Sequence, residues 1–199
     1  AIKGAEYSGQ SIDHYNTDII DQYASFYKGF IVAANSTGIN KKVIVNIGYV
    51  HWGYLVYLEQ LNFPYDVIGL HWYSNMGNLF SFKEKKINVL NTLAEKFDKK
   101  ILVDEFNIYK GTLEFSAIPY HQKWFEENVA EIMTNPNVLG VVFYELLDQP
   151  DFAKKRLGGY YNPSESEYGF FSLDSKKDYY IKDDFKNYEF FSIGVQNYK

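Results

Sequence analysis

The sequence predicts an α/β fold with a parallel sheet. Four short apolar runs bounded by Gly, Pro or Asn occupy 43–48, 66–73, 101–107 and 138–145. Unbroken Val/Ile/Leu runs of this length read as strands buried on both faces. Helix-periodic stretches separate the runs, each long enough for a crossover. The runs also end in polar residues, and 101–107 delivers a carboxylate, Glu105. In a parallel barrel the C-terminal strand ends form the active face, which makes a Glu at such an end a catalytic candidate.

The elements follow in order. Ala1-Ile2-Lys3-Gly4-Ala5 reads as the end of a strand whose beginning is missing. Between 17 and 36, Ile20, Tyr23, Tyr27, Phe30, Ile31 and Ala34 fall at helical spacing, and Asn35-Ser36-Thr37-Gly38 supplies the stop. A strand begins at Lys42, and a short helix over 52–61 ends ahead of Pro64. The next strand covers 66–72. The helix expected over 82–97 places Ile87, Leu90, Leu93, Ala94 and Phe97 on one stripe. Lys99-Lys100 precede the strand that carries Glu105. A helix over 119–133 shows Trp124, Phe125, Val129 and Ile132, and Asn135-Pro136-Asn137 breaks it before the last strand. Residues 149–163 read as a long loop, a usual place for binding residues. The tail over 176–191 alternates charge with Tyr and Phe and reads as a closing helix.

At 199 residues the chain fits one domain that buries about 70% of its surface on folding. A complete eight-fold barrel takes about 250 residues, whereas four full strands and the end of a fifth are present. The expectation is therefore a partial TIM (β/α)8 barrel, roughly strands four to eight. It forms a single domain over 1–199 with the N-terminal strands missing. Half a barrel leaves sheet edges and apolar helix faces open, so pairing with the missing N-terminal half or with another copy is expected.

The net charge of −5 offers no general attraction to nucleic acid or an anionic membrane. No run approaches the roughly 18 apolar residues of a membrane helix. With no cysteine, disulfide and thiolate chemistry are excluded. The 19 Tyr, 16 Phe and 3 Trp favour sugar binding modestly, because aromatic faces stack on sugar C–H faces; filling cores is their ordinary use.

Glu105 abuts a buried strand, where a charge needs a partner or a job. Glu6 follows the truncated first run. Two carboxylates at different strand ends can flank a glycosidic bond, one as acid/base and one as nucleophile. The plain alternative, an exposed or ion-paired Glu, applies more to Glu6. His71 and Tyr73 lie two apart on one strand and share a side, suited either to orienting a neighbouring carboxylate or to a buried mutual hydrogen bond. Trp72 points the other way unless the strand has already ended. Trp52 is placed to stack on a sugar or to cap the core, and Tyr144 and Glu145 close the last strand, where Glu145 has the alternative of bonding loop backbone. The four His show no metal-ligand spacing, and there is no GxGxxG, phosphate-binding loop or Gly-x-Ser-x-Gly elbow. No metal or cofactor is expected.

Together these residues resemble the retaining glycoside hydrolases of clan A, which share an eight-fold β/α barrel. His71-Trp72-Tyr73 matches the clan's strand-six His-x-Tyr, and Glu105 in Val-Asp-Glu-Phe-Asn matches the nucleophile that ends strand seven. Gly4-Ala5-Glu6-Tyr7 falls where the strand-four acid/base belongs. The stretch over 66–73 is similar to that of endo-β-1,4-galactanases, and Phe-Tyr-Glu-Leu-Leu-Asp-Gln-Pro over 143–150 resembles strand-eight ends in several clan families. The resemblance implies a carbohydrate substrate, a secreted or periplasmic location, Glu105 as nucleophile and Glu6 as acid/base. It also implies that His71 and Tyr73 orient Glu105, with Trp52, Trp72, Tyr144 and Glu145 contacting sugar. One departure stands out: the clan's Asn before the acid/base is Ala5 here, and that Asn bonds the sugar 2-hydroxyl. Ala5 and the missing strands favour the alternative, a carbohydrate-binding barrel protein without catalysis. A structural α/β domain with ion-paired carboxylates is the third reading.

Overall fold

The structure is a computed structural model that describes residues 1–4, 6–38, 41–83, 86–109, 118–148, 168–173 and 179–182. Ala5, the expected 149–163 loop and most of the expected tail helix lie outside the described residues. In chain order the elements are α1 (Thr17–Asn35), β1 (Ile44–Gly48), α2 (Gly53–Gln60), β2 (Val67–Tyr73), α3 (Val89–Phe97), β3 (Lys100–Asn107), α4 (Ile118–Thr134) and β4 (Val138–Phe143). The short strands β5 (Phe171–Leu173) and β6 (Tyr179–Ile181) follow. β1 to β4 form one parallel sheet in sequence order, and β5 and β6 pair antiparallel. The chain is thus α/β, with parallel strands and helices alternating as expected for part of a β/α barrel.

The chain divides into two compact units. The first comprises Ala1–Trp72, Leu79–Glu105 and Glu131–Val142. Its sheet has two chemically different faces, set by the alternation of side chains along a strand. On β2, Ile68, Leu70 and Trp72 are fully buried, next to Ile47 of β1 and level with Ile101 and Val103 in burial. They share this core with Ile20 of α1, Leu55 and Leu58 of α2, and Leu90 and Leu93 of α3. The opposite face carries Asn46, Gly69 and His71, with Asn46 beside Gly69 and Gly48 beside His71 in the β1–β2 register.

Two expectations for this unit are corrected. The helix expected from 82 begins at Val89. Phe82 and Ile87 instead exchange backbone hydrogen bonds of 2.9 and 3.3 Å across a turn. The Asn88 side chain then caps the helix, accepting from the Asn91 N–H at 3.0 Å. Residues 1–4 also do not join the sheet. Ile2 forms an isolated antiparallel bridge with Tyr15, whose buried hydroxyl reaches the carbonyl oxygens of Gly9 at 2.8 Å and His51 at 3.0 Å. Pairing with this anchored segment takes up the strand-like start of the chain.

Both outer strands of the sheet expose apolar side chains: Ile44 on β1, and Leu139 and Val142 on β4. On α1, Tyr23, Phe26 and Phe30 are exposed as well. A cavity of about 380 Å³ lies between α1 and β1, lined in part by Tyr27, Ile31, Val43 and Val45. Burial on both faces therefore holds for β2, interrupted only at the half-buried His71, and fails at the sheet edges.

The second unit comprises Tyr73–Asn78, Phe106–Ala130 and Phe143–Lys199. Its core is aromatic: Phe106 stacks on Trp124 at 5.1 Å, and Phe125 on Phe143 at 5.6 Å. Buried Asn107 donates to the carbonyls of Tyr144 and Tyr168 and accepts from the Ile108 N–H. The nearly buried pair Lys182–Asp148, at 2.7 Å, ties the end of β6 to the segment after β4. The expected tail helix is corrected where it is described. Residues 179–181 form β6, because Tyr-Tyr-Ile is a β-prone triplet that finds a partner strand in 171–173.

Leu93 is fully buried, so Leu93→Ala is expected to lower stability by about 2–5 kcal/mol, through lost transfer energy and a residual cavity. Urea unfolding followed by circular dichroism would measure this. A midpoint shift worth less than about 1 kcal/mol would place Leu93 outside the core.

Candidate active site

The polar face of the first unit converges on one imidazole. His71 extends from β2 with Nδ1 3.2 Å from Glu105 Oε2 and Nε2 3.5 Å from Asp104 Oδ1. The Asn46 amide nitrogen lies 3.3 Å from the same Nε2. Three strands thus supply one cluster: β1 gives Asn46, β2 gives His71, and β3 gives Asp104 and Glu105.

Two local features of the chain make this possible. Gly69 sits beneath the cluster, and a Cβ built there would strike Asn46 Oδ1 and Asp104 Oδ2. Glycine leaves room here for these side-chain ends, which a Cβ would force to shift. The alternation along β3 also slips by one residue. Ile101 and Val103 are fully buried, yet the next fully buried residue is Phe106. The two residues between, Asp104 and Glu105, both reach His71 and leave a consecutive pair of carboxylates on one ring.

Burial works against a charge on His71, but the close approach of Asp104 and the charges of Glu105 and Asp104 outweigh it. The His71 pKa is raised above the ordinary histidine value. Glu105 keeps a third of its side chain exposed, 34%, so it can meet a ligand while paired with His71.

The other predicted residues are placed as follows. Glu6 lies in an exposed turn with its carboxylate folded against Gly4. Trp72 is fully buried, stacked on Tyr49 at 5.8 Å and edge-on to Phe82. Its expected role as a sugar platform is corrected: it lies on the helix side of β2, opposite His71. Trp52 is also buried, at the start of α2, and it packs in the core rather than offering a ring face. Tyr73, Tyr144 and Glu145 belong to the second unit. The Tyr73 ring lies 5.0 Å from that of Tyr168, and Tyr144 is 5.9 Å from the same ring. The Glu145 backbone pairs with Tyr168 and Phe170. Among the described residues, no group of His, Asp and Glu converges as a metal site, and no helix is long and apolar enough to cross a membrane.

Sequence reading missed Asn46, Gly69 and Asp104. The available signal was a polar Asn inside the apolar 43–48 run, and an Asp directly before the Glu that drew attention.

No protein-family model matches the chain, and no curated protein sequence matches it. Solved structures do. One is a GH128 (subgroup VI) exo-β-1,3-glucanase from Aureobasidium namibiae, at TM-score 0.52 and 13% identity, covering 80% of this chain and 58% of the other. A second is the Ruminococcus gnavus β-glucuronidase, at TM-score 0.52 and 13% identity, covering 82% of this chain and 28% of that one. The chain therefore spans less than two thirds of each neighbour's length. At this identity the likeness shows the fold alone. The fold is one that glycoside hydrolases use.

Protonated His71 stabilises the folded state because its pKa is raised there. That stabilisation is fully present below about pH 6.5 and is lost as pH rises through the higher folded-state value. Comparing urea midpoints of the wild type and His71→Gln, the wild-type advantage should be larger at about pH 6 than at about pH 8.5. An advantage that does not change with pH would refute a charged His71.

Proposed function

We propose that the chain carries the catalytic face of a retaining β-glycosidase. The observation that supports this most is Glu105 near the end of β3, partly exposed, with its carboxylate 3.2 Å from His71 Nδ1. A carboxylate that attacks carbon must be ionised and fixed in orientation, and a hydrogen-bond donor on one oxygen serves both needs while leaving the other oxygen to react. In this reading Glu105 attacks the anomeric carbon. Glu6 gives its proton to the departing glycosidic oxygen, and a glycosyl ester on Glu105 results. Glu6, now a carboxylate, takes a proton from water as that water displaces Glu105 and releases the sugar with retained configuration. Such a mechanism requires the two carboxyl groups to come to about 5–5.5 Å.

Tyr144 and Glu145 are proposed sugar contacts on the strength of their position at the end of the last strand. Buried Tyr73, Trp52 and Trp72 are not. The substrate class is a β-linked glycoside or polysaccharide. β-1,4-Galactan is the first to try, given the likeness over 66–73, followed by the β-1,3-glucan and β-glucuronide substrates that the structural neighbours' names indicate. The exposed apolar residues on β1, β4 and α1 support completion of the barrel by an N-terminal half or by another copy. Gel filtration of the chain is expected to show a species larger than a monomer; a stable, well-packed monomer would count against that completion.

The second reading, a carbohydrate-binding barrel without turnover, draws on Ala5 and on the Glu6 carboxylate folded against Gly4. One pair of variants separates the two. Under the enzymatic reading, Glu105→Gln loses turnover by about 10⁴-fold or more while sugar binding persists, and Glu6→Gln loses about 10²–10⁴-fold. Calorimetry that finds sugar binding to a wild type with no turnover on the full panel would establish the binding reading instead.

A further inference from the structure

The imidazole of His71 has three neighbours and only two nitrogens. Nδ1 meets Glu105 at 3.2 Å. Nε2 meets two groups of opposite character, the Asn46 amide nitrogen at 3.3 Å and the Asp104 carboxylate at 3.5 Å. An amide N–H can only donate, and an ionised carboxylate can only accept. These two neighbours therefore suit two different states of the ring. When Nε2 is bare it accepts from Asn46, and the single ring proton sits on Nδ1, facing Glu105. When Nε2 carries a proton it faces the Asp104 carboxylate, whose buried Oδ1 has no other hydrogen-bond partner among the described residues, and the ring is the doubly protonated cation, with Nδ1–H still facing Glu105. The neutral form with its proton on Nε2 is disfavoured, because it would set the bare Nδ1 lone pair against the Glu105 carboxylate.

We propose that Asn46 and Asp104 are a matched pair of positioning residues that share His71 Nε2, so that Nδ1–H stays directed at Glu105 in both protonation states. Neither residue touches the reacting atoms; both act through the ring. From β1 the ring is faced by Asn46, which does not titrate, and from β3 by Asp104 and Glu105, which do. Gly69 makes the pair possible, since a side chain there would displace both groups from Nε2. The consequence is a nucleophile whose hydrogen bond outlasts the titration of its partner. In a lone Glu–His pair only the carboxylate's repulsion of a bare Nδ1 lone pair holds the tautomer, and the Asn46 donor at Nε2 reinforces it. The inference rests on Glu105 as the proposed nucleophile, but its test reads the ring and needs no turnover.

The test is long-range ¹H–¹⁵N NMR of the full chain across pH, with the His71 signals assigned by their loss in His71→Gln. In the wild type at high pH the bare nitrogen should be Nε2. Asp104→Asn removes the acceptor that favours the cation and should lower the His71 midpoint by about half a unit or more. Asn46→Ala removes the donor that favours the neutral ring and should raise the midpoint, while the Nε2–H tautomer gains a larger share of the neutral form. The opposite signs distinguish this sharing from general loss of packing, which would move both variants the same way. The proposal is overturned by a wild-type neutral ring bearing its proton on Nε2, or by variants that shift the midpoint in one direction or not at all. The wild-type tautomer needs no variant to fold. If the ring behaves as expected but Glu105→Gln retains turnover, the positioning pair stands and the assignment of the nucleophile fails.

Discussion

The alternation of side chains along β2 is the constraint on which the first unit depends. In seven residues this strand sends Ile68, Leu70 and Trp72 into an apolar core and places Val67, Gly69 and His71 on the other face. A shift of one residue would bury the imidazole and drive an indole into the polar cluster, so register and site are specified by the same residues. Gly69 sharpens the constraint. A glycine inside a strand costs stability, and here that cost leaves room for two side chains from the neighbouring strands to meet beneath His71.

β3 meets the same demand by breaking the rule that β2 obeys. Its alternation slips between Val103 and Phe106, and two acidic residues in succession arrive at one ring. Placing carboxylates side by side carries a repulsive cost that a cationic imidazole offsets. The raised His71 pKa is the expected response of a base held between two anions. The apolar residues at the sheet edges answer to a different requirement. Ile44, Leu139 and Val142 sit where a closed sheet would find further strands.

The strands were legible because parallel pairing writes itself as short Val/Ile/Leu runs, and β1, β2 and β4 fall within the runs read from sequence, with β3 beginning one residue earlier, at Lys100. Glu105 was legible because a charge at the end of such a run has few innocent explanations. The start of α3 was not, since Ile87 fits the helical stripe yet spends its backbone on a bridge with Phe82. Nor was β6, whose surroundings alternate charge and aromatic residues in a way that serves either periodicity. Asp104 and Asn46 stayed hidden for a physical reason: alternation assigns Asp104 to the side opposite Glu105, and only the slip in β3 brings both to His71. The two tryptophans failed as platforms because side-chain direction, not residue type, decides whether a ring meets solvent. Trp72 follows Leu70 into the core, and Trp52 begins a helix whose first turns are buried.

That placement of indoles has a spectroscopic corollary. The chain has 3 Trp, and Trp52, Trp72 and Trp124 are each buried, none more than 8% exposed. Their emission reports the tightness of the interior and is shielded from quenchers dissolved in water. A saccharide docking at the surface would leave that light nearly unchanged, whereas the exposed tyrosines on α1 would register a partner that covers them.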